Sequence, residues 1–410
     1  MRSAPLAPFQ VRSFRFQFPA DLLTSWGSEM ENVILGWYIL SATGSVFLLT
    51  LFASLQYFGT LLAPVIGLGG DRLGHRTILC AMRAAYASLA ATIAVLTFSG
   101  WLSPMTVLVL AAVAGLVRPS DLAMRAALVA ETIPADRFVG AMGASRITSD
   151  AARIAGPLSG SAAFAVFGMG PAYLGIALVY LAGFLMTLGT GAPRRFTQPP
   201  PGFAFWRDMR AGVAYVWADP ASLAALLLAF LVNFTAYPLS SGLLPYVAQN
   251  VYLVDQTGLG YLVASFATGS LLGSIIVSLA GRVIRPARMM LGFAVAWYAM
   301  LLVFVHMPDP AHGRAALLLA GLAQNLSLVP MSVLLLYGAD EQFRGRVMGL
   351  RMMAIYGLPL GLMLAGLLID RVGFAAAISL QATAGAVLTV AIGLRWRAAL
   401  WPREAPANAR

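Results

Sequence analysis

The stretch GLGGDRLGHRTIL, residues 67–79, sets an acidic residue and two arginines between two long apolar runs. Ionisable groups are costly inside a bilayer, so in a hydrophobic chain such charges belong in a short aqueous turn between two membrane spans. The glycines at positions 67, 70 and 74 let the flanking helices approach closely. The stretch therefore predicts a protein with several membrane spans, two of which are joined by this turn.

The composition supports the same interpretation. Hydrophobic residues make up 60% of the 410 residues and charged residues only 10%, whereas ordinary soluble domains are roughly a quarter charged. A helix needs about 20 apolar residues to cross the hydrocarbon core. Apolar runs of this size predict twelve helices, numbered here in chain order, near residues 17–40, 45–67, 78–99, 102–124, 139–167, 171–190, 221–247, 257–280, 288–306, 314–338, 347–369 and 374–395.

All 27 basic residues are arginine, and they give the chain a net charge of +11. With both termini in the cytoplasm, 21 of them lie at cytoplasmic loops or helix ends, two in outer loops and four inside predicted spans. This asymmetry follows the positive-inside rule and explains the charge without a nucleic-acid partner. An all-arginine set also indicates GC-rich coding, so we expect the inner (plasma) membrane of a bacterium.

Motifs for catalysis and metal binding are absent from the sequence. The single cysteine, Cys80, excludes a disulfide framework and a CxxC metal site. The sequence has no HExxH, GxSxG or P-loop pattern, and its three histidines are scattered. We therefore expect neither an enzyme nor a bound metal.

Residues 191–220 interrupt the hydropathy pattern. Prolines at 199–201 predict an extended linker, and apolar residues at helical spacing after them predict an amphipathic helix in the cytoplasmic interface. We expect a six-helix bundle at 1–190, this linker at 191–220 and a second six-helix bundle at 221–410. The predicted fold is an all-α integral membrane protein with two pseudo-symmetric bundles.

The two halves repeat weakly. LLAPVIGLGGDRLG at 61–74 aligns with LLGSIIVSLAGRVI at 271–284, an offset of 210, and Met142-Gly143 aligns with Met348-Gly349 at an offset of 206. Both offsets are close to half the chain length, as duplication of a six-helix unit requires. Repeated bundles of this kind place a substrate near the midplane between halves that rock against each other.

Several segments resemble the major facilitator superfamily over nearly the whole chain. The turn between helices 2 and 3 is similar to the signature motif of that superfamily, although His75 replaces a usual basic residue. RPSDLAMRAALVAETIP (118–134) and SDAARIAGPLSG (149–160) resemble the subgroup of enterobactin exporters and macrolide-efflux transporters. The residues that carry the resemblance are Gly67, Gly70, Asp71, Arg72, Gly74 and Arg76 in the signature, and Gly156, Pro157 and Gly160 in an exporter-type helix 5 motif.

The resemblance implies export of a small, often amphipathic molecule, such as a drug or a siderophore. Members of this subgroup usually exchange their substrate for protons, so we expect a proton gradient as the energy source and no cofactor. We also expect a lipid bilayer around the protein and function as a monomer. A lysophospholipid flippase or an importer of the same fold is an alternative, and a membrane receptor without turnover is another.

The resemblance also implies a cytoplasmic gate. In this fold Asp71 faces the start of helix 11, where Arg344 and Arg346 lie. Helix N-termini carry unpaired N–H groups and a partial positive charge, which stabilise a nearby carboxylate. We expect this contact to hold the outward-facing state. The alternative is a topology signal without a gating role.

Ionisable residues inside spans are concentrated in helices 1, 4 and 5, where they are usually functional. Counted at about 1.5 Å per residue, one level contains Asp21, Arg118, Asp121 and Arg146, and a deeper level contains Glu31, Asp150 and Arg153. Burial favours a neutral carboxylic acid and a neighbouring arginine favours the carboxylate, so alternation between the two environments moves a proton.

Helices 1 and 4 line the cavity in this fold, whereas helix 5 lies at the seam. We therefore expect Glu31 first and Asp21 second as proton carriers, with Arg118 as a further cavity charge. The alternative is that these ion pairs only order the bundle. The remaining charges are expected to be structural: Asp121, Arg125, Arg146, Asp150 and Arg153. The substrate cavity candidates are Gln56, Asn233, Tyr237, Gln324 and Asn325.

Overall fold

The computed structural model describes residues 7–62, 70, 73–191, 205–280 and 285–401. These residues form helices joined by short turns and contain no strand. The all-α class predicted from the composition is confirmed.

Six membrane helices precede the linker. Their bounds are α1 Arg12–Thr43, α2 Val46–Leu55, α3 His75–Phe98, α4 Pro104–Thr132, α5 Ala135–Phe167 and α6 Met169–Leu188. A 3-10 turn at Phe58–Leu62 follows α2. The rest of predicted helix 2 reaches residues 63–69, most of which lie outside the described part of the chain.

Six further membrane helices follow a linker helix at Phe205–Ala218. Their bounds are α7 Pro220–Val251, α8 Gln256–Ala280, α9 Pro286–Val305, α10 Pro310–Gly338, α11 Glu341–Val372 and α12 Phe374–Arg395. Twelve helices were predicted, and the twelve-helix architecture is confirmed.

Hydropathy alone does not identify all of these helices as spans. In the described part of the chain, nine are long and apolar enough to cross a membrane, whereas α1, α2 and α5 are not among them. α1 and α5 are long, at 32 and 33 residues, but each carries five charged residues. Two of the three helices outside this set, α1 and α5, therefore carry candidate charges, among them Asp21, Glu31 and Asp150.

The chain divides into two compact units. The first comprises Met1–Pro201 together with Gly242–Ala264, and the second comprises Gly202–Ser241 together with Ser265–Arg410. The end of α7 and the start of α8 thus belong to the first unit. The predicted boundaries at 1–190, 191–220 and 221–410 stay a prediction.

In the first unit, α1 crosses α5 at the two glycines of the exporter-type motif. A Cβ added at Gly156 would lie 2.6 Å from Cβ of Glu29, and one at Gly160 would lie 2.7 Å from Cα of Met30. Both distances are shorter than side chains tolerate, so the crossing needs glycine. Pro157 lies between the two glycines inside α5. The part of this motif in export stays a prediction.

In the second unit, α7 and α11 cross in a similar way. A Cβ at Gly357 would lie 2.6 Å from the carbonyl oxygen of Phe230, and one at Gly361 would collide with the carbonyl of Phe234. The linker helix contacts the start of α11, where Tyr215 stacks on Phe343 at a centroid distance of 4.4 Å. Glycine contacts and aromatic stacking thus position α11 along its length.

Acidic residues of the second unit serve at helix ends. Asp219 caps α7 by accepting hydrogen bonds from the backbone N–H groups of Ala221 and Ser222. Asp309 caps α10 in the same way, outside the membrane span. Hydrogen bonds from the backbone and side chain of His312 hold the pKa of Asp309 below its ordinary value. Both carboxylates are therefore committed to capping.

Replacing Gly160 by valine should destabilise the protein by about 1–3 kcal/mol, because overpacking at a close crossing forces the two helices apart. The midpoint of thermal denaturation of the purified protein in detergent measures the effect. Gly143→Ala on the same helix is the matched control, since a Cβ there meets nothing within 4 Å. Equal midpoints for the two variants would contradict the close α1–α5 crossing.

Candidate functional site

One polar cluster in the first unit joins α1, α2, α4 and α6. Arg118 donates to Glu31 Oε2 at 2.5 Å through Nη2, and Tyr180 donates its hydroxyl to the same oxygen at 3.0 Å. Through Nη1, Arg118 also donates to Asn32 Oδ1 at 2.9 Å and to Gln56 Oε1 at 2.5 Å. We call these five residues the Glu31 cluster. It contains one acid, one base and three neutral partners.

Arg118 occupies an irregular point of α4. A 3-10 turn at Arg118–Ser120 interrupts the α-helix, because Pro119 has no backbone donor for the regular hydrogen bond. Such turns within a helix often mark hinges. The side chain of Arg118 is 18% exposed and that of Glu31 is 7% exposed. The arginine is therefore the more accessible member of the pair.

A second cluster joins α1, α3 and α4. Asp21 Oδ1 accepts a hydrogen bond from Arg83 and lies 3.6 Å from Nε of Arg125. Arg125 is also paired with Asp121, four residues earlier on α4. Together these residues form the Asp21 cluster. Two acids and two arginines are buried together, so their formal charges cancel.

Neutral groups accept further hydrogen bonds from the arginines of the Asp21 cluster. Arg83 donates to the hydroxyl of Thr187 on α6, and Arg125 donates to the hydroxyl of Ser25 at 2.7 Å. Arg125 also donates to the backbone carbonyl of Asp21 at 3.1 Å. The side chain of Asp21 is only 1% exposed. Side chains from four helices thus surround this buried carboxylate.

Two sequence predictions about these clusters are wrong. Arg118 was placed level with Asp21, but it binds Glu31, because counting the rise per residue ignores the reach of a long side chain. Arg83 is one of the 21 arginines that the positive-inside assignment placed at cytoplasmic loops or helix ends, but it is fully buried. The reason is that α3 begins at His75, three residues before the predicted start, so Arg83 lies two turns inside.

The charges of α5 are arranged differently. Arg146 Nε and Asp150 Oδ2 form the predicted i,i+4 pair at 3.3 Å, and the side chain of Arg146 is 54% exposed. Arg153 acts electrostatically on Glu29 of α1, together with Arg118. Glu29 was not among the predicted site residues. To predict that Glu29 lies near these two arginines, one must know which faces of α1, α4 and α5 meet, and the sequence does not contain this information.

Part of the signature motif lies outside the described residues, namely Gly67, Asp71 and Arg72. Gly70 and Gly74 are described, and Gly74 has φ of 91°, a left-handed value that favours glycine. Arg76 donates to the backbone carbonyl of Leu188, which ties the start of α3 to the end of α6. The gating role of the motif stays a prediction.

His75 forms a contact that the sequence did not indicate. Its Nδ1 lies 2.6 Å from Oε1 of Glu131, so the start of α3 is linked to the end of α4. In the sequence, His75 was notable only as a departure from the signature. The histidine thus supplies a packing contact beside the motif.

The cavity candidates divide into three groups. Gln56 belongs to the Glu31 cluster. Asn325 donates to the backbone carbonyl and hydroxyl of Ser270, at 2.5 and 2.6 Å, and so joins α10 to α8. Tyr237 packs edge-on against Trp297, Asn233 donates to a carbonyl of its own helix, and Gln324 is buried. Their role as substrate contacts stays a prediction.

A family model for the Major Facilitator Superfamily matches residues 18–358. The chain belongs to the major facilitator superfamily. It is therefore a multi-pass membrane transporter that works by alternating access, and the prediction that it is not an enzyme is confirmed. Among the described residues, no group of three or more His, Cys, Asp or Glu side chains is arranged to hold a metal.

Solved structures share this fold at low sequence identity. A POT family transporter in complex with 5-aminolevulinic acid is 11% identical with a TM-score of 0.74, covering 95% of this chain and 97% of the other. A bacterial homolog of the human lysosomal transporter Spinster is 15% identical with a TM-score of 0.71, covering 99% and 100%. The nucleoside transporter NupG is 14% identical with a TM-score of 0.67, covering 95% and 100%. No curated protein matches the chain in sequence.

Replacing Arg83 by methionine should destabilise the protein by about 3–5 kcal/mol, because it leaves the buried Asp21 cluster with an uncompensated negative charge. Thermal denaturation in detergent measures the loss. Arg146→Met is the matched control and should change stability little, since its pair with Asp150 is exposed on one side. Equal midpoints of thermal denaturation for Arg83→Met and Arg146→Met would contradict this account of the Asp21 cluster.

Proposed function

We propose that this transporter exports a small amphipathic molecule in exchange for protons, with Glu31 as the proton carrier and Arg118 as its partner. The observation that carries the proposal is the composition of the Glu31 cluster. One carboxylate meets a single arginine that is partly accessible, and its other partners are neutral hydrogen-bonding groups. Such a carboxylate can exist in both protonation states without breaking the surrounding structure.

A comparison with Asp21 explains why Glu31 is proposed as the proton carrier. Protonation of Asp21 would leave two buried arginines, Arg83 and Arg125, with Asp121 as the sole acid of the cluster. Protonation of Glu31 leaves only Arg118, whose side chain is 18% exposed. Tyr180 can donate to the carboxylate or accept from the neutral acid, because a phenol does both. Proton uptake at Glu31 therefore leaves fewer buried arginines without a carboxylate partner.

The position of Arg118 supplies a way to couple the proton to movement. Displacement of Arg118 at its 3-10 turn would leave a buried carboxylate without compensation, which favours uptake of a proton. The return of Arg118 favours release of that proton. Each protonation state thus favours one position of α4, and alternation between the two accompanies the rocking of the transporter.

The direction of transport is part of the proposal. The resemblance of residues 118–134 and 149–160 to enterobactin exporters and macrolide-efflux transporters supports export of a drug or a siderophore-like molecule. The arginine distribution supports an inner-membrane location in a bacterium, with both termini in the cytoplasm. We propose that the monomer is the functional unit. Import and binding without turnover are the competing outcomes of the experiment below.

Glu31→Gln should abolish the response of transport to a pH gradient, while exchange of substrate without a gradient persists, because glutamine mimics the neutral acid. The assay uses inverted vesicles with an acidic lumen and two fluorescent xanthene probes, anionic fluorescein and cationic tetramethylrosamine. Wild-type vesicles should accumulate one probe, and a protonophore should collapse that accumulation.

Asp136→Asn is the matched control, since it removes a carboxylate that is 73% exposed. Gradient-driven uptake that survives Glu31→Gln would overturn the role of Glu31. Movement of probe only out of the vesicles would indicate an importer, and binding without accumulation would indicate a receptor. Either result would contradict proton-coupled export.

A further inference from the structure

The two units differ in how charges inside the membrane spans are balanced. In the first unit, five acids and five arginines lie inside the membrane helices, away from the helix ends: Asp21, Glu29, Glu31, Asp121, Asp150, Arg83, Arg118, Arg125, Arg146 and Arg153. In the described membrane helices of the second unit and the turns that join them, the acids lie at helix ends: Asp219, Asp309, Asp340, Glu341 and Asp370. The second unit nevertheless has an arginine inside a span, Arg351 of α11.

Arg351 lies well inside α11. The span Glu341–Val372 has 32 residues, which at about 1.5 Å each extends roughly 48 Å. A hydrocarbon core of about 30 Å centred on it would begin roughly 9 Å from its start. Arg351 is ten residues from that start, or about 15 Å, and so lies within the core. An arginine at this depth faces protein or water rather than lipid.

Arg351 has no carboxylate partner among the described residues. Its side chain is half-buried. The segment Pro220–Thr235 of α7 contacts the segment Arg344–Met353 of α11, and the phenol of Tyr237 is near enough to interact with the guanidinium of Arg351. A charge that is partly withdrawn from water and not balanced by the protein favours an anionic ligand, because the interaction strengthens as the dielectric falls.

The neighbouring face of α7 is aromatic and accessible. Phe230, Asn233, Phe234 and Tyr237 are spaced for one helix face and are all at least partly exposed, whereas the residues between them are buried. The rings of Phe230 and Phe234 are nearly parallel, at an interplanar angle of 11°. Phe230 is 41% exposed. This face offers stacking surface beside a free cation.

The α7–α11 crossing at Gly357 and Gly361 brings these two features together. It places the backbone of Phe230 and Phe234 directly against α11, two turns beyond Arg351. The side chain of Tyr237 is held edge-on by Trp297 at a centroid distance of 5.1 Å, so its position is defined. The cationic and aromatic groups thus belong to one region of the second unit.

We propose that Arg351 and the aromatic face of α7 bind the transported molecule, which is therefore a small amphipathic anion with an aromatic or apolar body. The guanidinium binds the carboxylate, sulfonate or phosphate of the substrate through paired hydrogen bonds. The rings of Phe230 and Phe234 contact its body. This assignment of substrate class rests on the proposed function, and it disfavours cationic drugs because Arg351 repels them.

Equilibrium binding to the purified full-length protein tests the assignment. Fluorescence anisotropy compares fluorescein with tetramethylrosamine, which share a xanthene frame but carry opposite charges. Wild-type protein should bind fluorescein more tightly than tetramethylrosamine. Arg351→Gln should weaken fluorescein binding by about 30-fold, and Arg351→Lys should weaken it less, because lysine keeps the charge but loses the paired geometry.

Arg371→Gln is the matched control, since it removes an exposed arginine from the last turn of the same helix. It should leave fluorescein binding unchanged. The proposal is overturned if wild-type protein does not bind fluorescein, if tetramethylrosamine binds as tightly, or if Arg351→Gln binds fluorescein like the wild type. Retention of binding by Arg351→Lys shows that loss in Arg351→Gln is not due to misfolding.

Failure of this proposal is distinguishable from failure of the proposed function, because binding requires no pH gradient. Binding of fluorescein that depends on Arg351, without accumulation in vesicles, would contradict proton-coupled export and leave the ligand class standing. Accumulation of tetramethylrosamine alone, driven by the gradient, would contradict the ligand class and leave proton-coupled export standing.

Discussion

The structure depends on one constraint, which is that a charge inside a membrane span needs compensation. The first unit meets it by pairing carboxylates with arginines, some on another helix and some one turn away on the same helix. These pairs permit α1 and α5 to belong to a membrane bundle although each carries five charged residues. The glycines of α5 then let the backbone of α1 approach closely. Charge pairing and close packing therefore act at the same helices.

Charges inside the spans are not all neutralised to the same degree. The degree of neutralisation distinguishes structural charges from functional ones. The Asp21 cluster is buried and its formal charges balance, as expected for a group that orders four helices. The Glu31 cluster depends on a single arginine that reaches accessible space from an irregular turn. Arg351 has no carboxylate partner in the described part of the chain. We propose function at the two sites where the protein leaves a charge incompletely neutralised. A proton neutralises Glu31, and an anionic ligand neutralises Arg351.

The sequence predicts the fold because each membrane helix needs a continuous run of about 20 apolar residues, which can be recognised without knowledge of the rest of the chain. It also selects Asp21, Glu31 and Arg118, since ionisable residues within apolar runs are few. It does not predict that Arg118 binds Glu31 or that Arg83 completes the Asp21 cluster. Those contacts depend on which helix faces meet and on the length of the arginine side chain. No periodic pattern in the sequence reports either factor. The importance of Arg351 likewise emerges only when the other charges are seen to be paired.

The central claim is that Glu31 changes its protonation state while Asp21 does not. Infrared difference spectroscopy of the purified protein, recorded between neutral and acidic buffer, measures this through the C=O band of a protonated carboxyl group. Exposed carboxyl groups also protonate in acidic buffer, so the account predicts that one component of this band, present in wild-type protein and in Asp21→Asn, is absent from Glu31→Gln while the components of the other carboxyl groups remain. A component that survives Glu31→Gln and disappears in Asp21→Asn would contradict it.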